Sequence, residues 1–213
     1  MEQLLPGVFA SPAERLSFAP STEVRAFLLQ RPSGNLLVYN APPVAQQADA
    51  IGALGGAARR YLGHWHEAMF GCEGITAPLH CHADDREEVA KRCAVEATFA
   101  ERHRAEDGFE VIPIPGHTGG STAYLWDSGK HRCLFTADSV YLHEGEWVAA
   151  VLPGSSDRAT YLASLELLKG LDFDVLIPWA ASVGRPCIAT TDRADARVRL
   201  DAIIDRLRRG EDR

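Results

Sequence analysis

The chain has 213 residues, 46% of them apolar and 24% charged, with a formal net charge of −7. That suffices for one substantial core, read as one domain over residues 1–213. The acidic balance gives no electrostatic support for nucleic-acid binding. No apolar run nears the roughly 20 residues that span a bilayer, and the amino-terminal stretch does not read as a signal peptide.

In chain order, residues 24–40 (VRAFLLQRPSGNLLVYN) carry a β-hairpin signal around Pro32-Ser33-Gly34. Residues 45–60 read as a weak helix, Tyr61-Leu62 as the end of a short strand, and residues 75–79 as another strand. Residues 84–92 open acidic and close basic, which suits a helix dipole. Residues 109–114 alternate as a strand. Residues 121–126 and 131–136 pair about Asp127-Ser128-Gly129. Ser156 or Asp157 caps a helix to about Lys169, residues 174–177 form a buried strand, and residues 192–209 form a last amphipathic helix with Val198, Ile203, Ile204 and Leu207 on one side. Helices outside sheets in one α/β (α+β) domain is the expected architecture. The five cysteines include no CxxC pair and read as reduced thiols, which with the lack of a leader points to the cytoplasm.

Three separated segments hold metal-ligand side chains: His64 and His66 in GHWHEAMFG, His117 in IPIPGHTGGSTAYLW, and Asp138 in LFTADSV. Two histidines at i and i+2 face one ion where the backbone bends. Three imidazoles and one carboxylate suit zinc, and equally an iron site with open positions.

Together these segments resemble the metallo-β-lactamase fold superfamily. RPSGNLLVYN looks like the family's early hairpin, whose second strand usually ends in Asp; here Asn40 stands there. GHWHEAMFG matches the His-x-His-x-Asp-His loop, APLHCHADD the following strand-to-helix segment, and PGHTGGSTAYL and LFTADSVYL the next two metal loops. The resemblance implies a four-layer αβ/βα sandwich with a metal in a cleft at one edge of two sheets. It also implies His64, His66, His117 and Asp138 as ligands, with Asp138 catalytic.

The chain departs from the pattern at three places. The family's loop aspartate falls on Ala68, the next histidine on Met69, and the last-loop histidine on Ala180. All three belong to the second metal position, so a degenerate site with one ion is expected. His82 and Glu67 are candidates to orient a ligand or replace one, and Trp65, Met69 and Trp179 to line the cleft. The expected activity is mononuclear zinc hydrolysis of a small ester, thioester or lactone. The alternatives are an iron oxidoreductase of the persulfide dioxygenase type and a non-catalytic binding protein on the same fold. A small molecule is the expected partner, neither nucleic acid nor membrane is, and a homodimer is compatible with the chain.

Overall fold

Strand pairing divides the chain between two packed layers of sheet. The computed structural model describes residues 1–105 and 107–212. The first layer is a seven-stranded sheet whose strands follow chain order from Glu2–Leu5 to Ala97–Phe99, skipping the two at Glu14–Leu16 and Ala19–Val24. Its strands are antiparallel through Leu36–Val38 and parallel from there on.

The second layer is two sheets. A six-stranded sheet runs from His103–Arg104 through Phe109–Pro113, Thr122–Asp127, Arg132–Ala137 and Val175–Pro178 to Ala189–Thr190. A five-stranded sheet contains Glu146–Val148, Tyr141–His143, Ala180–Ser182, Ala19–Val24 and Glu14–Leu16. The chain steps between them at Trp179, the residue between Val175–Pro178 and Ala180–Ser182.

Strict alternation in the six-stranded sheet builds two cores. Phe109, Val111, Tyr124, Trp126, Phe135 and Ile177 face the first sheet and join Phe27, Tyr39 and Tyr61. Ile112, Leu125, Leu134 and Leu176 face the opposite way. Onto that outer face pack two helices, α3 (Arg158–Lys169) and α4 (Arg193–Arg208), through Leu165, Leu168, Leu200, Ile203 and Ile204. On the first sheet's outer side, Leu79 and Cys81 pack with Val89 of the short helix α2 (Arg86–Ala90). The result is the expected α/β sandwich of the metallo-β-lactamase type.

Several local expectations need correction. The hairpin is shorter than 24–40: Phe27–Leu29 pairs with Leu36–Val38, while Val24 ends a strand of the five-stranded sheet. The strand expected over 75–79 begins at Leu79 and runs to His82. Pro78 has no N–H to give a ladder, and the Ile75 carbonyl is taken by the Arg60 guanidinium at 3.2 Å. The weak helix over 45–60 is a 3-10 turn, Pro42–Gln47, then α1 (Ala48–Ala53); Gly55 and Gly56, both at positive φ, stop it.

In α4 the buried face is Ala196, Leu200, Ile203, Ile204 and Leu207, and Val198 is 69% exposed. Val198 lies on the far side because 3.6-residue periodicity from Ile203 and Leu207 runs through Leu200 and Ala196. Cys72 and Cys93 are joined as a disulfide, so they are not the thiols expected; Cys81, Cys133 and Cys187 are free. Spacing without a CxxC pair hides this bond, because the two residues meet only when the 65–70 turn folds beside the end of α2. Among the described residues no helix is long and apolar enough to cross a membrane.

Candidate metal centre

The strand Arg59–Tyr61 runs out at Gly63, where the chain must pass close to the strand Arg132–Ala137. A Cβ on Gly63 would sit 2.5 Å from the Ala137 Cβ and 3.0 Å from Glu67 Oε1. The next residues wind into a 3-10 turn, Trp65–Phe70, with His64 at its cap. Glu67, fully buried, organises that turn. Its Oε1 accepts from the Gly63 N–H (2.7 Å), the His64 N–H (3.1 Å) and His64 Nδ1 (3.0 Å). Its Oε2 accepts from the Asn40 N–H at 2.9 Å. Asn40 in turn donates from Nδ2 to the Glu67 and Gly71 carbonyls. Glu67 therefore orients His64 and does not itself face the histidine cluster.

His117 follows the strand Phe109–Pro113. Its Nδ1 donates to the Ala150 carbonyl at 2.7 Å, and Ser156 Oγ donates to the His117 carbonyl at 2.9 Å. The preceding Gly116, at φ 144°, lies against the Tyr161 backbone, where a Cβ would approach to 2.4 Å. Asp138 follows Arg132–Ala137. Ala137, at φ 49°, is pinned by Tyr39, whose hydroxyl accepts from the Ala137 N–H (2.8 Å) and donates to the Ile177 carbonyl (3.0 Å). Tyr161 donates to the Ser139 carbonyl at 2.8 Å.

These supports bring the three histidines together. One ligand atom from each of His64, His66 and His117 lies within 4.8 Å of the others. His66 Nδ1 is 3.1 Å from His117 Nε2. Asp138 Oδ2 is 3.4 Å from His64 Nε2 and 3.9 Å from His117 Nε2.

The tautomers test the fit to a cation. With Nδ1 donating to Glu67, a neutral His64 turns the lone pair of Nε2 toward Asp138, and that buried nitrogen has no hydrogen-bond partner. With Nδ1 donating to Ala150, a neutral His117 turns its Nε2 lone pair toward His66. His66, protonated on Nδ1, can donate to that lone pair. His64 Nε2 and Asp138 Oδ2, however, face each other as two acceptors at 3.4 Å in a buried site, which requires a proton or a metal ion there. Without metal, burial depresses His64, but the Asp138 and Glu67 carboxylates beside it outweigh burial and lift the imidazole to about 10. Burial and the His64 charge press His66 down to about 3 and His117 to about 4. Burial raises Asp138, and the protonated His64 beside it then brings it below the usual carboxylate range.

The remaining sequence candidates separate. Met69 and Trp179 line a cleft of about 400 Å³ with His66, His117 and Asp138. Trp179 is fixed by donating from Nε1 to the Asn40 carbonyl (2.8 Å), and its ring stands edge-on to His64 at 5.1 Å. Trp65 is not among the cleft residues; it packs against the cluster containing Leu62, Ala68 and Val89. His82 is also outside the site, with Nε2 against the Ala100 carbonyl and Nδ1 accepting from the Asp84 N–H. Ala68 and Ala180 are buried among apolar neighbours.

One organising residue escaped sequence reasoning. Asp85 ties the two histidine loops together: Oδ2 accepts from the Trp65 N–H (2.8 Å) and from Thr118 Oγ1 (3.2 Å), and Oδ1 from the Gly120 N–H (2.9 Å). Its only sequence signal is the acidic pair Asp84-Asp85 ahead of α2, which reads as ordinary helix-start chemistry.

Comparison with known proteins agrees with this arrangement. A family model described as the metallo-beta-lactamase superfamily matches residues 48–180, more than half of the chain and all four site residues. A search of curated proteins finds no match. Among solved structures, a metallo-beta-lactamase from Pontibacter korlensis is 15% identical with a TM-score of 0.76, and 97% of each chain is covered. The metallo-beta-lactamase FIM-1 from Pseudomonas aeruginosa, in its mono-zinc form, is 13% identical with a TM-score of 0.72, over 98% of this chain and 94% of that one. A metallo-beta-lactamase family protein from Thermus thermophilus is 19% identical with a TM-score of 0.66, over 97% and 81%. At such identities the structural likeness speaks for the fold, and the family model for descent: the chain belongs to the metallo-β-lactamase superfamily.

Proposed function

We propose that the protein is a mononuclear zinc hydrolase acting on a small ester, thioester or lactone. The observation that carries this reading is the buried His64 Nε2, left without a hydrogen-bond partner and aimed into a cluster with His66 and His117. His64, His66 and His117 would hold the ion, with Asp138 beside them. Zinc so bound supplies a nucleophile near neutral pH, since it lowers the pKa of water to about 7.

The chain's own groups would do the rest. Asp138, ionised and with a buried Oδ1 that has no partner, is placed to accept a hydrogen bond and orient an attacking water. Glu67 and the Ala150 carbonyl fix the ring orientations of His64 and His117, as partners of metal-binding histidines do. Met69 and Trp179 give the cleft apolar walls. Ala68, Met69 and Ala180 offer no donor for a second ion, which removes the clamp that phosphodiester chemistry uses.

Elemental analysis of protein purified without added metal or chelator, repeated on His117→Ala, tests the reading. About one zinc per chain, lost in the variant, with ester hydrolysis abolished by a chelator, is the expected result. No metal even after reconstitution, or iron accompanied by oxygen uptake, overturns it.

A further inference from the structure

The cleft over the histidine cluster differs from a site built to hold a charged substrate. Apart from His66, His117 and Asp138, its lining is Leu16, Phe18, Met69, Ala150, Leu152 and Trp179. No lysine or arginine is among them. Arg92, which reaches this loop, is spent on the Met69 carbonyl at 3.0 Å and does not line the cleft.

The apolar lining continues to the outside. Among the described residues only three large hydrophobic side chains are conspicuously exposed: Phe18 at 67%, Leu152 at 38% and Val198 at 69%. The first two lie in this cleft, though they come from distant parts of the chain. Phe18 sits at the turn between Glu14–Leu16 and Ala19–Val24. Leu152 lies on the loop whose Ala150 carbonyl orients His117. Exposed apolar residues converging on one mouth mark a binding surface, whereas a solitary one such as Val198 needs no explanation.

Resting on the hydrolase reading above, we infer that the substrate is a neutral ester or lactone whose aliphatic chain lies between Phe18, Leu152 and Trp179, with its carbonyl at the histidine cluster. The lining carries the discrimination. An aliphatic chain gains by leaving water for this surface. A carboxylate at the far end of that chain, away from the histidine cluster, would be desolvated with no lysine or arginine to meet it, in a protein of net charge −7.

The test uses the zinc-loaded full chain with p-nitrophenyl acetate, p-nitrophenyl hexanoate and the p-nitrophenyl monoester of adipic acid. Calorimetry with hexanamide and adipic acid monoamide measures binding separately from turnover. The expected kcat/KM for the hexanoate exceeds that for the adipate ester by roughly tenfold or more, on the scale of hydrophobic-pocket discrimination. In Phe18→Ser/Leu152→Ser the preference for the hexanoate over both the acetate and the adipate ester shrinks severalfold. Equal or faster hydrolysis of the adipate ester overturns the substrate class and leaves the hydrolase reading standing. Hexanamide bound in preference to the monoamide acid, with no ester hydrolysed, overturns the hydrolase reading and keeps the apolar site. No hydrolysis and no preference in binding overturns both.

Discussion

Glu67 grips His64 at two points: one carboxylate oxygen, Oε1, accepts from the His64 backbone N–H at 3.1 Å and from its Nδ1 at 3.0 Å. Backbone and ring are thereby locked to the same atom. Oε2 is held by the Asn40 N–H, so the grip reaches back to the end of the strand Leu36–Val38. Where the resembling family places an aspartate, this chain has Asn40, and the carboxylate comes from the histidine loop itself.

Glu67→Gln keeps the shape and removes the charge. Zinc affinity is expected to fall by about 10–100-fold, the usual cost of losing a partner that orients a metal-binding histidine. Competition titration with a chromophoric chelator measures this. An unchanged affinity would mean that His64 is held by packing alone.

The brace at Asp85 makes a steric prediction. A Cβ on Gly120 would fall 2.4 Å from the Asp85 carboxyl carbon, and the carboxylate cannot retreat without releasing Trp65 and Thr118. Gly120→Ala is therefore expected to cost about 1–3 kcal/mol, as overpacking does. Urea denaturation reads the loss. A midpoint equal to wild type would show that the two histidine loops do not share this brace.

How much of this was legible in the chain depended on the range of the interaction. The ligand types stood in short frames, and alternation in 109–114 with the turn at Asp127-Ser128-Gly129 located the sheet beneath His117, because these signals are local. Glu67 could be noticed, but whether it entered the site or turned away depended on Asn40, 27 positions earlier. Asp85 was invisible because its partners, Trp65 and Gly120, come from two other segments. Val198 was misplaced for a simpler reason: an apolar residue in a helix suggested a buried face, and the helix's own period put it outside.

The Cys72–Cys93 bond predicts a thiol count. Denatured but unreduced protein should titrate three thiols, from Cys81, Cys133 and Cys187, and reduced protein five. The bond closes a loop with a sequence separation of 21, for which chain entropy suggests a stabilisation of about 3 kcal/mol. Cys72→Ser/Cys93→Ser should unfold at correspondingly lower denaturant. Five thiols without reductant would show the pair to be open.

The histidine cluster finally sets a pH profile for the metal-free protein. His64 binds its proton up to about pH 10 in the fold but only to about 6.5 in the unfolded chain. Its contribution is full below 6.5 and is lost as the pH climbs toward 10. His66 and His117 act in the opposite sense. Their folded values, about 3 and about 4, lie below 6.5, so the unfolded state gains protons first and stability falls as pH drops from 6.5 toward 4. Chelator-treated protein should therefore melt highest near pH 6.5 and lower on both sides. Zinc displaces the His64 proton, so its binding should tighten with rising pH and remove the alkaline decline. Melting curves from pH 5 to 10, with chelator and with zinc, decide the matter: a metal-free profile that is flat across neutrality would mean that the imidazoles do not face one another as described.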